Sequence, residues 1–209
     1  MAERAHPEDP GFKDHWIWQR RFKGLIPLPK KVRSQWKEGL ISRYKFCQTY
    51  ASGKRVLDIP CGVGWGTSLL QRTKRLVGVD LNREAIKYAK SHYGYKADFM
   101  VGDMRQLPFS INEFDLVICL EGIEHVPMEI GKKFIQESAR ILSDCGKIVL
   151  TNPLPDPVRP PNPYHIHEYD LEELEVFLKP YFEKQLQEIL KIGGVSIVYY
   201  VGKLKNKSN

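Results

Sequence analysis

The chain has 209 residues, of which 42% are apolar, and its formal net charge is +7 at pH 7. This length and composition predict one globular domain with a substantial core. No apolar run is long enough to span a bilayer, and the first residues lack the apolar segment of a secretory signal, so we expect a cytoplasmic protein. The positive charge permits anionic partners, although a solvated basic surface is the simpler explanation.

The four cysteines are widely spaced and form no CxxC pair, which indicates neither a zinc site nor a disulfide framework. Cys61 and Cys119 lie at predicted strand or strand-end positions, and free thiols in a core fit a reducing cytosol. The cysteines are Cys47, Cys61, Cys119 and Cys145.

Residues 1–29 mix prolines with aromatic and basic side chains, and we interpret them as an arm. The arm either packs on the domain or forms part of a substrate wall, where Trp18 is a candidate contact. Helical spacing of apolar residues runs from Lys30 to Ala51. Strands and helices then alternate: strands at 55–59, 76–80, 98–101, 114–120, 146–151, 182–192 and 196–203, with helices from the glycine turn to about 71 and at 83–93, 128–142 and 171–178.

This alternation predicts an α/β, doubly wound, Rossmann-like sheet of seven mostly parallel strands, with an antiparallel hairpin at its edge. The domain would cover residues 30–203, and residues 204–209 would be a flexible tail. Ligands of such sheets bind where the parallel strands end. Acidic residues lie at or near four predicted strand ends, at Asp58, Asp80, Asp103 and Glu121.

The first strand leads into a turn with glycine at alternate positions, Gly62, Gly64 and Gly66. Glycine permits positive φ and close approach of a ligand to the backbone. A nicotinamide-binding domain would have GxGxxG spacing instead, and no Gly-Lys-Ser/Thr of a phosphate-binding P-loop follows. We expect a helix to begin directly after this turn.

Together the turn, Val77–Asp80, Gly102–Phe109 and Phe114–Glu121 resemble class I S-adenosylmethionine-dependent methyltransferases, over about residues 50–203. The resemblance implies that S-adenosyl-L-methionine is the cofactor and that Asp80 binds its ribose. It implies an adenine contact for Asp103 and Met104, and a sulfonium-side contact for Leu120 and Glu121. The full implied cofactor set is Asp58, Pro60, Cys61, Gly62, Gly64, Asp80, Leu81, Asp103, Met104, Leu120 and Glu121. Pro60 departs from the family, which usually has glycine there.

His125 follows the fourth strand and is the candidate general base, with Glu124 as its orienting neighbour. A structural role for His125 is the alternative. The proline-rich loop Asn152–Asp170 is the predicted substrate lid, with candidate contacts at Tyr164, His165, His167 and Tyr169. His165 and His167 with Glu168 or Asp170 would make only a thin ligand set, so we expect no metal site.

The sequence therefore predicts O-methylation of a small molecule or a saccharide of an envelope glycan, by a monomer or homodimer with no nucleic-acid partner. An RNA methyltransferase is the first alternative, because the arm mixes aromatic and basic residues. A non-catalytic binding protein with the cofactor fold is the second.

Overall fold

A computed structural model describes residues 30–206, with side chains from residue 38. The predicted arm at 1–29, including Trp18, and residues 207–209 lie outside the described residues.

Four α-helices and seven strands make up the described chain. The helices are α1 (Lys30–Ala51), α2 (Arg83–Tyr93), α3 (Met128–Ile141) and α4 (Leu171–Leu178). The strands are β1 (Arg55–Asp58), β2 (Arg75–Asp80), β3 (Asp98–Val101), β4 (Phe114–Leu120), β5 (Leu142–Pro153), β6 (Phe182–Ile192) and β7 (Val195–Leu204). Single 3-10 turns lie at Thr67–Leu69 and Ile123–His125.

All seven strands form one sheet in the order β3-β2-β1-β4-β5-β7-β6. The first five strands pair in parallel, whereas β7 is antiparallel to both β5 and β6. The predicted doubly wound sheet with an antiparallel edge hairpin is therefore confirmed. The chain changes direction across the sheet at β1 and β4, and this is where such folds bind ligands.

Successive residues of the central strands enter two separate hydrophobic layers. Leu57 and Val117 belong to the layer that contains α3 and α4, whereas Val56 and Leu116 belong to the layer that contains α1 and α2. Because side chains of a strand alternate between its faces, a strand covered on both sides must be apolar throughout. This explains the apolar run at 116–120 in β4, whereas Asp115 near the start of the strand is only partly buried.

Local signals place the helix ends and the hairpin. Asn82 accepts a hydrogen bond from the Ala85 amide at the start of α2. Asp170 and Glu173 form a capping box at α4. Gly193 and Gly194 have φ of 59° and 88°, as a tight hairpin turn between β6 and β7 requires.

The helix predicted from the glycine turn to about residue 71 is wrong: only Thr67–Leu69 forms a 3-10 turn. The hydroxyls of Thr67 and Ser68 bond to Asp58 and to the Trp65 carbonyl, and such local bonds compete with helix formation. Other predicted boundaries differ by one or two residues, except that β5 begins four residues early, directly after α3 at Leu142; β7 extends to Leu204 in the predicted tail. In the part of the chain that the structure describes, no helix is long and apolar enough to cross a bilayer.

Candidate active site

The ends of β1, β2, β3 and β4 lie side by side at one edge of the sheet, because these strands are neighbours and parallel. The acidic residues at or just beyond those ends are Asp58, Asp80, Asp103 and Glu121. This edge is the candidate active site.

The glycine turn links the ends of β1 and β2. The Cys61 amide donates to the Val79 carbonyl at 2.8 Å, and the Gly62 amide donates to Oδ2 of Asp80 at 2.9 Å. Gly62 and Gly64 have φ of 55° and 78°, a conformation that disfavours other residues. Open space surrounds the missing Cβ of Gly62, whereas a Cβ on Gly64 would approach that of Ala89 to 2.7 Å. Gly62 therefore leaves open space beside the turn, whereas Gly64 permits close packing against Ala89.

Pro60 packs against the turn that follows β4. A Cβ on Gly122 would lie only 2.3 Å from Cδ of the Pro60 ring, so the absence of a side chain at residue 122 makes room for that ring. The Ile59–Pro60 peptide bond is cis. The unusual proline is therefore accommodated by a neighbouring glycine.

Asp58 is completely buried at the end of β1. Its Oδ2 accepts hydrogen bonds from the Tyr44 hydroxyl at 3.0 Å and the Thr67 hydroxyl at 2.6 Å. Its Oδ1 has no hydrogen-bond partner among the described residues. Burial raises the pKa of Asp58 to about 7, despite the two hydrogen bonds that oppose the shift.

Asp80 places its carboxylate between two backbone amides. Its Oδ2 accepts from Gly62 and its Oδ1 accepts from the Asn82 amide at 2.8 Å. The side chain is almost buried, whereas that of the following residue, Leu81, is 67% exposed. A fixed carboxylate beside an exposed apolar side chain can bind hydroxyl groups and stack against an aromatic ring.

Asp103 and Met104 lie in a turn after β3. The Asp103 carboxylate accepts from the Arg105 side chain at 2.6 Å, and this ion pair lowers the pKa of Asp103. Met104 packs on the core that contains α3. The turn is anchored to α3, because the Leu107 amide donates to Glu137 at 2.8 Å.

Glu121 has φ of 48°, outside the regions that residues with side chains prefer, and follows the half-buried Leu120. Its Oε2 lies 3.3 Å from a guanidinium nitrogen of Arg43, while Oε1 has no hydrogen-bond partner among the described residues. Arg43 and Tyr44, both on α1, were missed as site residues. Their positions in α1 are consistent with an ordinary amphipathic helix, and only the docking of α1 brings them to the strand ends.

Glu124, His125 and His165 form a cluster in which one ligand atom from each lies within 4.8 Å of the others. Glu124 is completely buried, and His125 and His165 are partly buried. Nδ1 of His125 lies 3.0 Å from the Tyr164 carbonyl oxygen, and its Nε2 lies 3.9 Å from Oε1 of Glu124. Burial lowers the pKa of His125, which favours the neutral imidazole.

The predicted lid is attached to the turn after β4, because the Ile166 and His167 amides donate to the Glu124 carbonyl at 2.8 and 3.2 Å. His165 and His167 do not act together. His165 lies beside His125, whereas Nε2 of His167 lies 3.0 Å from Glu173 of α4. Tyr169 is completely buried in the core, so its position is that of a packing residue rather than a pocket wall.

Residues 56–146 match the family model described as a methyltransferase domain. This match assigns residues 56–146 to a methyltransferase domain. A phthiotriol/phenolphthiotriol dimycocerosates methyltransferase of Mycobacterium ulcerans is 34% identical over 152 residues, which are 70% of this chain and 54% of that protein. A fatty-acid O-methyltransferase of Mycolicibacterium smegmatis is 35% identical over 112 residues, which are 52% of this chain and 40% of that protein. The chain thus spans about half the length of the curated relatives it matches.

Solved structures share the fold. Magnesium protoporphyrin IX methyltransferase of Synechocystis, with bound S-adenosylhomocysteine, aligns with a TM-score of 0.70 at 18% identity, covering 91% of this chain and 94% of the other. A protein of Pyrococcus horikoshii aligns with a TM-score of 0.69 at 23% identity, covering 89% and 99%. The resemblance to class I S-adenosylmethionine-dependent methyltransferases is confirmed.

S-adenosyl-L-methionine is the cofactor of this domain type, and the residues at the strand ends fit it. The amino-acid end of S-adenosyl-L-methionine carries an ammonium group, and its sulfonium sulfur carries a positive charge. Two buried carboxylate oxygens, Oδ1 of Asp58 and Oε1 of Glu121, have no hydrogen-bond partner among the described residues. Buried carboxylate oxygens are normally paired, so these two suit a cationic or hydrogen-bond-donating ligand.

Proposed function

We propose that this chain transfers the methyl group of S-adenosyl-L-methionine to an oxygen of a hydroxyl- or carboxyl-bearing acceptor. The observation that carries the proposal is the arrangement at the ends of β1, β2 and β4. There a glycine turn, a carboxylate fixed by two amides and two incompletely bonded buried carboxylates lie together.

We assign the cofactor's parts to these residues. Asp80 accepts hydrogen bonds from the ribose hydroxyls, a role that suits a group with acceptors only. Asp58 and the backbone of Gly62 and Gly64 bind the amino-acid end, directly or through water. The rest of the cofactor is surrounded by Leu81, Asp103, Met104, Leu120 and Glu121. Pro60 and Cys61 shape the glycine turn.

The catalytic contribution of this chain is mainly orientation. The sulfonium supplies an already activated methyl group, so placing the acceptor oxygen in line with it provides much of the rate. We place that oxygen beside Glu124 and His125, which follow β4 directly. The role of His125 as the group that removes the acceptor's proton stays a prediction. The role of Glu124 as the residue that orients His125 also stays a prediction.

The names of two relatives support a choice of acceptor class. One is named as a methyltransferase of phthiotriol and phenolphthiotriol dimycocerosates and another as a fatty-acid O-methyltransferase. A lipid-like acceptor is therefore favoured over the saccharide expected from sequence. Tyr164, His165 and His167 of the loop are the proposed acceptor contacts, and Tyr169 supports them from the core.

The test is transfer of radiolabelled methyl from S-adenosylmethionine by the full chain to three acceptor groups: long-chain fatty acids, long-chain alcohols and diols, and sugar nucleotides. We expect labelled product from one of the first two. Label found only in sugar nucleotides would contradict the lipid assignment. If the folded chain also failed to bind S-adenosylmethionine, methyl transfer itself would be contradicted.

A further inference from the structure

The cluster of Glu124, His125 and His165 brings two imidazoles and one carboxylate together from two parts of the chain. Glu124 and His125 belong to the 3-10 turn after β4, and His165 belongs to the loop before α4. The rings of His125 and His165 are 5.0 Å apart, and one ligand atom of each of the three residues lies within 4.8 Å of the others. Sequence spacing gave no sign of this cluster.

The hydrogen bonds of the two imidazoles determine which nitrogen of each carries a lone pair. Nδ1 of His125 meets the Tyr164 carbonyl oxygen, and Nδ1 of His165 meets the Glu168 carboxylate at 2.5 Å. Both partners can only accept, so both Nδ1 atoms donate. Both Nε2 atoms therefore carry lone pairs in the neutral rings.

These bonds are the ones that surround histidine ligands in metal sites. A histidine that binds a metal usually donates its other N–H to a carboxylate or a backbone carbonyl, which orients the ring. His165 has the first kind of partner and His125 has the second. Glu168 is in turn paired with Arg159, which fixes the carboxylate from its far side.

We propose that Glu124, His125 and His165 bind a divalent cation of the Zn²⁺ type through one carboxylate oxygen and two Nε2 atoms. Two imidazoles with one carboxylate suit zinc and related transition metals better than Mg²⁺ or Ca²⁺, which prefer oxygen ligands throughout. Three protein ligands leave at least one coordination position for another oxygen, as in catalytic zinc sites.

Two adjustments are needed for binding. Ligand atoms around a cation at about 2.1 Å lie roughly 3.4 Å apart, so ligand atoms that are now up to 4.8 Å apart must draw together by as much as about 1.4 Å. The Nε2 atom of His165 now lies 2.9 Å from the Asn162 amide nitrogen, which donates to it. Because Asn162 is only partly buried, its amide can turn aside when the cation takes the lone pair.

The role of the cation rests on the proposed methyl transfer. An acceptor hydroxyl that coordinates it loses its proton to solvent more readily, because the cation stabilises the oxyanion. The oxygen then forms a bond to the methyl carbon while the carbon–sulfur bond breaks, and the electron pair of that bond stays on sulfur. With their Nε2 lone pairs on the cation, His125 and His165 position it and cannot accept the proton, so this inference replaces the general-base role predicted for His125.

The test is calorimetric titration of the full, chelator-treated chain with Zn²⁺, with Co²⁺ absorption as a second readout of coordination. We expect one site with micromolar or tighter affinity. Replacing His165 by alanine (His165→Ala) should weaken binding at least 10-fold, and Glu168→Gln about 10-fold. The matched control is His167→Ala, whose partner is Glu173 outside the cluster, and it should keep the wild-type affinity.

The variant at Glu124 is Glu124→Gln, because a larger change at this buried residue can prevent folding. The Tm of every variant is measured. Absence of a 1:1 site, or equal Zn²⁺ affinity in wild type and His165→Ala, would overturn the proposal. S-adenosylmethionine affinity is measured on the same samples. A chain that binds this cofactor but not Zn²⁺ refutes the cation site alone, whereas one that binds Zn²⁺ but not the cofactor refutes the proposed function.

Discussion

A guanidinium nitrogen of Arg43 on α1 lies 3.3 Å from Oε2 of Glu121 at the end of β4. The Arg43 side chain is 8% exposed and that of Glu121 is 25% exposed, so the pair is largely removed from water. The contact joins the first described helix to the strand end beside which we place the reacting methyl group.

Replacing Arg43 by methionine should destabilise the protein by about 1–3 kcal/mol, because the partly buried Glu121 carboxylate then loses its partner. Urea unfolding measures the change. The double variant Arg43→Met, Glu121→Gln should recover part of this loss, since it removes the uncompensated charge as well. A double variant with the summed loss of the two single variants would show that the pair is not coupled.

Asp58→Asn should stabilise the ligand-free protein above neutral pH. The native pKa of about 7 exceeds the ordinary value of 3.8, so between these values the unfolded chain releases a proton that the native chain keeps. Stability contributed by this group therefore falls as pH rises from about 4 to 7. Because one pKa unit corresponds to about 1.4 kcal/mol, the variant should gain on the order of a few kcal/mol at pH 8.

Asp115→Asn is the control of opposite sign. Hydrogen bonds from Arg55 lower the pKa of Asp115, so its ionised form stabilises the native state. That contribution is present at neutral pH and is lost as pH falls below the ordinary aspartate value. Asp115→Asn should thus lose stability at pH 7. If chemical denaturation gave Asp58→Asn and wild type the same pH dependence, burial of an ionisable Asp58 would be refuted.

Gly64→Ala should cost more stability than Gly62→Ala, although both glycines belong to the same turn. Each has positive φ, so each alanine is strained by about 1 kcal/mol. Only the Cβ at residue 64 also meets Ala89 and Phe99 within 2.7 Å, and such overpacking adds about 1–3 kcal/mol. Thermal unfolding measures both, and equal losses would contradict the packing argument.

Periodicity and turn residues were sufficient to predict the sheet. The elements of the sheet are marked by signals that act over a few residues, namely the apolar run of β4, the caps at Asn82 and Asp170 and the glycine pair at 193–194. The prediction of a helix after Gly66 was wrong because Thr67 bonds to Asp58, and periodicity does not reveal such a contact between side chains.

The acidic strand ends were predictable because parallel topology places them together. The partners of those acidic residues could not be predicted from the sequence. Arg43 and Tyr44 reach the site through the docking of α1, and His165 reaches His125 through a loop attached to the Glu124 carbonyl. These contacts join segments distant in sequence, and their residue types alone carry no signal of the pairing.

Calorimetric titration of S-adenosylmethionine into wild type, Asp80→Ala and Asp98→Ala tests the central claim most directly. Asp98 is an exposed acid at the opposite end of β3 and is the matched control. The account predicts one site in wild type, unchanged affinity in Asp98→Ala and at least a 10-fold loss in Asp80→Ala with its fold retained by circular dichroism. Equal affinity in wild type and Asp80→Ala, or no binding by the folded wild-type chain, would contradict it.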